Sequence, residues 1–131
     1  MRLLLPLLAA VSMLAGCGGS GGGAAQTRGL TATVPVGQSL LVVTAPPGAP
    51  HFDKATYRVR SGRVAIALRN LSAVRHNIAI RGNGVDTRGA IVSTGKTSVV
   101  SVSLRPGMYV LYCPLDGHDK AGMHARLIVA G

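Results

Sequence analysis

Cys113, His118 and Met123 recur at five-residue intervals in the run Tyr112-Cys113-Pro114-Leu115-Asp116-Gly117-His118-Asp119-Lys120-Ala121-Gly122-Met123. A thiolate, an imidazole and a thioether suit an ion that cycles between Cu(I) and Cu(II). Sulfur is soft enough for Cu(I), and a trigonal His₂Cys set with a weak axial Met is one arrangement proteins use for copper. The loop supplies one imidazole where that arrangement needs two, so the second must come from elsewhere in the chain.

His76 meets the requirement. In His76-Asn77-Ile78-Ala79-Ile80, the residues His76, Ile78 and Ile80 alternate with Asn77, Ala79 and Arg81, which predicts a strand with the imidazole on its inward, apolar face. Cys113 passes the same test, because Tyr109, Leu111 and Cys113 share one face of the strand that leads into the loop. Two inward donors from two strands, joined by two from the loop after the second, can surround one ion.

With these residues the chain resembles a small blue copper protein of the cupredoxin (plastocyanin/azurin) family. The resemblance covers roughly residues 33 to 130. It rests on His76-Asn77, on the strand Pro-Gly-Met-Tyr-Val-Leu-Tyr-Cys ending at Cys113, and on Cys-x4-His-x4-Met with a glycine before both His118 and Met123. This loop is longer than that of plastocyanin and closer to the rusticyanin and auracyanin branch. The resemblance implies a single type 1 copper ion with His76, Cys113 and His118 as equatorial ligands and Met123 as the axial one. It also implies that Asn77 ties its strand to the Cys113 loop, and that the ring edge of His118 surfaces in an apolar patch where partners dock. Such a protein is an electron carrier, not an enzyme, and a monomer. Pro114 has no backbone N–H, so the nearest downstream donor to the Cys113 sulfur is that of Leu115.

The first sixteen residues read as an export signal. Arg2 gives a positive start, and Leu3 to Leu14 an apolar stretch of about a dozen residues, short of the roughly 20 that cross a bilayer as a helix. Leu14-Ala15-Gly16-Cys17 resembles a bacterial lipobox, which implies cleavage before Cys17 and lipidation of its sulfur. Residues 17–29, rich in Gly and Ser, read as a tether with an end-to-end distance of about 20 Å. Residues 30–131 then form one domain, held at the outer face of the cell membrane or on the periplasmic side. Apart from Cys17 the exported chain has only Cys113, so it has no internal disulfide in a compartment that permits them. A lone thiol outside the cell is a liability unless something occupies it, and copper would.

The formal charge of +10 falls to +9 when Arg2 leaves with the signal. That field favours acidic redox partners, a cytochrome or a membrane redox complex, or anionic head groups. Nucleic acid is disfavoured, because the arginines are scattered and the chain is exported.

Periodicity of two runs through the rest. Val64, Ile66 and Leu68 alternate with Ala65, Ala67 and Arg69, and Val100, Val102 and Leu104 with Ser101, Ser103 and Arg105, each reading as half-buried. Glycine and proline punctuate at 36–38, 46–48, 61–63, 81–84, 94–96 and 105–107. Six or seven short strands at this spacing predict an all-β, two-sheet antiparallel sandwich with Greek-key connections. Gly84 to Ile91 reads as a loop.

A copper-storing or copper-delivering lipoprotein would use the same residues. Multicopper oxidases and copper nitrite reductases need further histidine-rich motifs and more domains, and this chain has no His-x-His pair. His51, in a loop after Ala49-Pro50, and His124, pointing away from Met123, are expected at the surface.

Overall fold

The computed structural model describes residues 37–48 and 50–131. The expected signal, the tether, Cys17 and the start of the domain at residue 30 lie outside these residues. Eight strands follow in order: β1 (Ser39–Ala45), β2 (Thr56–Arg60), β3 (Gly62–Asn70), β4 (Ala79–Gly82), β5 (Val85–Arg88), β6 (Thr97–Leu104), β7 (Gly107–Tyr112) and β8 (His124–Ala130). They form a three-stranded sheet in the order β1-β3-β6 and a five-stranded sheet in the order β2-β8-β7-β4-β5. Among the described residues no helix is long and apolar enough to cross a membrane.

The sandwich is as expected, but it is not wholly antiparallel. β1 runs parallel to β3, and β2 parallel to β8, while the other pairs are antiparallel. Periodicity within a strand reports which side chains are buried and carries nothing about the direction of its neighbour, so both senses were open. The inner faces are those the alternation marks: Val43, Val64, Ile66, Leu68, Val100 and Leu104 meet Tyr57, Tyr109, Leu111, Leu127, Val129 and Ile80 in one core.

β3 is buried on both faces, not half-buried: Ala65 and Ala67 are as hidden as Val64 and Ile66. Ala65 lies between Leu40 and Ser101 on the flanking strands, and Ala67 between Val42 and Val99. A methyl group between longer side chains on either side is shaded by them.

Gly84 to Ile91 is not the loop expected. β4 and β5 form a hairpin joined by Asn83 and Gly84, with φ of 48° and 81°. Two consecutive residues with positive φ make the tight turn whose twist suits a two-residue hairpin, and Asn-Gly is the pair that tolerates it best. A few residues on, Gly89 passes close to β6, where an added Cβ would stand 2.6 Å from the Val99 carbonyl oxygen.

Two polar clamps pin the core to its loops. The Tyr109 hydroxyl donates to the Arg105 carbonyl at 3.0 Å. The Asp53 carboxylate accepts from the Tyr57 hydroxyl at 2.6 Å and from the Thr44 amide at 2.8 Å, and burial together with this carboxylate pushes the Tyr57 phenol well above its usual range.

Candidate metal centre

β4 pairs antiparallel with β7, with Ala79 opposite Tyr112. Residues just before β4 therefore run beside residues just after β7, which is how His76 and Asn77 come to face Cys113. On its other side β7 pairs with β8 as far as Tyr112 and His124, and the Cys113 amide then donates to the Met123 carbonyl at 3.1 Å. Both ends of the loop are thus tied to the ladder.

Inside the loop the backbone closes on itself. The amide of His118 donates to the Leu115 carbonyl at 2.9 Å, and that of Met123 to the His118 carbonyl at 2.9 Å. Asp116 and Gly117 take positive φ of 45° and 79°, turning the chain so that His118 faces back toward Cys113. Of these two, Asp belongs with Asn and Gly among the residues that tolerate this conformation.

Three donor atoms converge. His76 Nδ1 lies 3.2 Å from His118 Nδ1 and 3.8 Å from Cys113 Sγ, and His118 Nδ1 lies 3.6 Å from the same sulfur. The point equidistant from the three is about 2 Å from each, close to metal–nitrogen bond lengths and slightly inside metal–thiolate ones. The donor set therefore fits a copper ion without rearrangement of the backbone. Cys113 and Met123 are fully buried and share one apolar cluster, His76 is 1% exposed, and His118 is partly exposed.

Burial pushes the Cys113 thiol above its ordinary range, with Asp116 and Asp119 adding to the effect, while the backbone N–H groups of Asn77 and Leu115 pull it back. The Leu115 donor is the one that Pro114 makes necessary. Burial, and secondarily the neighbouring His118, holds His76 below the usual imidazole range, which favours the neutral ring that a metal needs.

Asn77 touches the sulfur, its Oδ1 lying 3.6 Å from Cys113 Sγ. Its Nδ2 donates to the Gly89 carbonyl at 3.2 Å, so it links Cys113 to the segment after β5 as well. His76 itself is not in a continuous strand. It forms a single antiparallel bridge with Val92, and all of residues 76–80 are buried, where alternation was expected.

The sequence reading missed Ser72. Its Oγ lies 2.8 Å from His76 Nε2, on the far side of the ring from the donor cluster. The signal was a buried His with one ring nitrogen committed to a ligand role, which requires a partner for the other. His51 and His124 are exposed as expected, and His124 Nδ1 lies 3.1 Å from Asp119 Oδ1.

The sequence profile of the sulfocyanin (SoxE) domain matches residues 78–131, which takes in Cys113, His118 and Met123 and stops two residues short of His76. Among solved structures, a dithionite-reduced auracyanin from the photosynthetic bacterium Roseiflexus castenholzii superposes with TM-score 0.64 at 19% identity, covering 71% of this chain and 98% of that one. Auracyanin A, a blue copper protein of Chloroflexus aurantiacus, gives 0.61 at 20% identity, covering 71% and 99%. An azurin from Methylomonas sp. strain J gives 0.59 at 12% identity, covering 71% and 98%. No curated protein matches the chain in sequence at a significant level. The two-sheet sandwich is thus the fold of these auracyanins and of azurin, and the part of the chain that carries Cys113, His118 and Met123 is similar to the sulfocyanin domain.

Proposed function

We propose that the protein is an extracytoplasmic electron carrier that holds one type 1 copper ion with His76, Cys113, His118 and Met123. The observation that carries this reading is the buried triangle of His76 Nδ1, His118 Nδ1 and Cys113 Sγ, with sides of 3.2 to 3.8 Å. Bound copper would supply a site that takes up and releases one electron.

The chain's own residues do the rest. Its strands and loop bonds hold the donors in one arrangement, which keeps the reorganisation that accompanies a change of oxidation state small. Burial of Cys113 and Met123 keeps water from the sulfur ligands. His118, partly exposed, gives the electron a short way out.

Apolar side chains reach the surface on segments next to the donor residues in sequence. Ile91, Pro114 and Leu115 line one surface pocket beside Asn77. Leu71 and Val74 are exposed on the segment leading into His76. Such a surface suits brief contacts with a redox partner better than tight ones. The lipobox at Leu14 to Cys17 and the glycine-rich residues after it support an anchored, exported domain, and the positive charge supports acidic partners.

Adding one equivalent of Cu(II) to the purified protein should give an intense blue thiolate-to-copper band, and Cys113→Ser should abolish it. A band that survives that substitution would overturn the assignment.

A further inference from the structure

The segment from Asn70 to His76 encloses a buried polar network that the copper reading does not itself require. Asn70 and Ser72 are 0% and 1% exposed. Asn70 Nδ2 donates to two carbonyls, Val74 at 2.8 Å and Val92 at 3.1 Å, so its amide can face only one way. Its Oδ1 is then fixed toward Ser72, where it accepts from the backbone amide and from the hydroxyl, both at 3.0 Å.

The Ser72 hydroxyl proton has two oxygen acceptors beside it, Asn70 Oδ1 at 3.0 Å and the Val74 carbonyl at 3.1 Å, and with the proton directed to either one the Ser72 oxygen has two lone pairs left. One receives the Val74 amide at 3.3 Å. The other faces His76 Nε2 at 2.8 Å and is satisfied only if that nitrogen carries a proton. The Thr94 hydroxyl donates to the Ser72 carbonyl at 2.6 Å, and His76 exchanges backbone bonds with Val92 at 3.1 and 2.8 Å, so the segment cannot easily turn away.

We infer that Ser72, oriented by Asn70, is a positioning residue that holds His76 as its Nε2–H tautomer and presents a bare Nδ1 to Cys113 and His118. In the metal-free protein the proton between the two Nδ1 atoms, 3.2 Å apart, then sits on that of His118. The use made of the bare Nδ1 rests on the copper reading; the tautomer itself does not.

Long-range ¹H–¹⁵N NMR of the metal-free, full-length protein labelled at histidine should show His76 protonated at Nε2 and unprotonated at Nδ1. A wild-type His76 protonated at Nδ1 would overturn the inference, whatever Ser72 variants do. Ser72→Ala should raise the Nδ1–H population and weaken Cu(II) binding by about 10- to 100-fold in a competition titration, the range for lost partners of metal-ligating histidines. Ser72→Thr, which keeps the hydroxyl, should restore both. A merely structural serine would lower the unfolding midpoint and leave the tautomer where it was. Wild-type protein with the Nε2–H tautomer and no affinity for copper would refute the copper reading and leave the positioning role standing.

Discussion

The amide of Cys113 donates to the carbonyl of Met123 at 3.1 Å, one step beyond the last residue pair of β7 and β8. The residues proposed as the strongest and weakest ligands are thus neighbours across an extension of the same ladder, and the loop between them is closed at its base by backbone alone. A change of side chain at Met123 leaves that bond in place. Met123→Leu should therefore keep copper and colour while raising the reduction potential, since a thioether is a weak axial ligand and the other three donors hold the ion. Voltammetry and the visible spectrum of the variant check this; complete loss of copper would make Met123 a principal ligand.

Acid should destabilise the metal-free protein through His76. Burial holds its folded pKa below that of the unfolded chain, so the neutral ring contributes stability above pH ~6.5, and this contribution is lost as pH falls from there toward the folded value. The slope from one such group is at most about 1.4 kcal/mol per pH unit. Urea midpoints of the metal-free protein from pH 8 to pH 5 should fall in this way. His76→Gln should flatten the part of the curve just below pH ~6.5.

Copper binding should depend on pH in the same sense, weakening as pH falls. The thiol of Cys113 is held above its ordinary range, so binding must displace its proton, and affinity should rise about tenfold per pH unit until that thiol titrates. A competition titration at pH 6, 7 and 8 measures it. An affinity that does not change over this range would mean that the sulfur is already ionised or is not a ligand.

The donor residues could be read from the chain because each has a distinctive type and the spacing within one loop is local. Tyr109, Leu111 and Cys113 also lie on the inner face that alternation assigns them. What lay out of reach was set by contacts distant in sequence. His76 sits in a bridge to Val92 and not in a strand, because its backbone partner belongs to a segment sixteen residues on. The parallel pairing of β1 with β3 and β2 with β8 leaves no trace in a single strand's periodicity. Ser72 depends on a bond network through Asn70 that no spacing rule announces. The β4–β5 hairpin is different: Asn83-Gly84 was a readable turn signal, and the polar residues Asp86, Thr87 and Arg88 masked the short strand after it.

Anchoring can be separated from folding. If Cys17 carries lipid, the protein in its own host should partition with membranes, and Cys17→Ala should release it. The copper spectrum should not change, because the centre is built from residues 72 to 123 and the glycine-rich stretch stands between it and Cys17. Wild-type protein recovered from its host as a soluble, unlipidated chain would defeat the proposal.

Charge near the exit should govern the rate of encounter. Asp119, next to His118, is already paired: Arg81 Nη1 lies 3.0 Å from one carboxylate oxygen and His124 Nδ1 3.1 Å from the other. These exposed pairs add little stability, but they blunt the acid next to His118 in sequence, while Lys120, Arg75 and Asp116 stay exposed. Electron transfer to an acidic partner should then slow as ionic strength rises from about 10 mM, where the Debye length is about 30 Å, to about 150 mM, where it is about 8 Å. Lys120→Gln should flatten that dependence and leave the copper spectrum unchanged, since its side chain faces solvent. Stopped-flow measurement with an acidic cytochrome decides between two surfaces. A rate that follows salt assigns docking to the basic side chains, and one indifferent to salt assigns it to apolar contact alone.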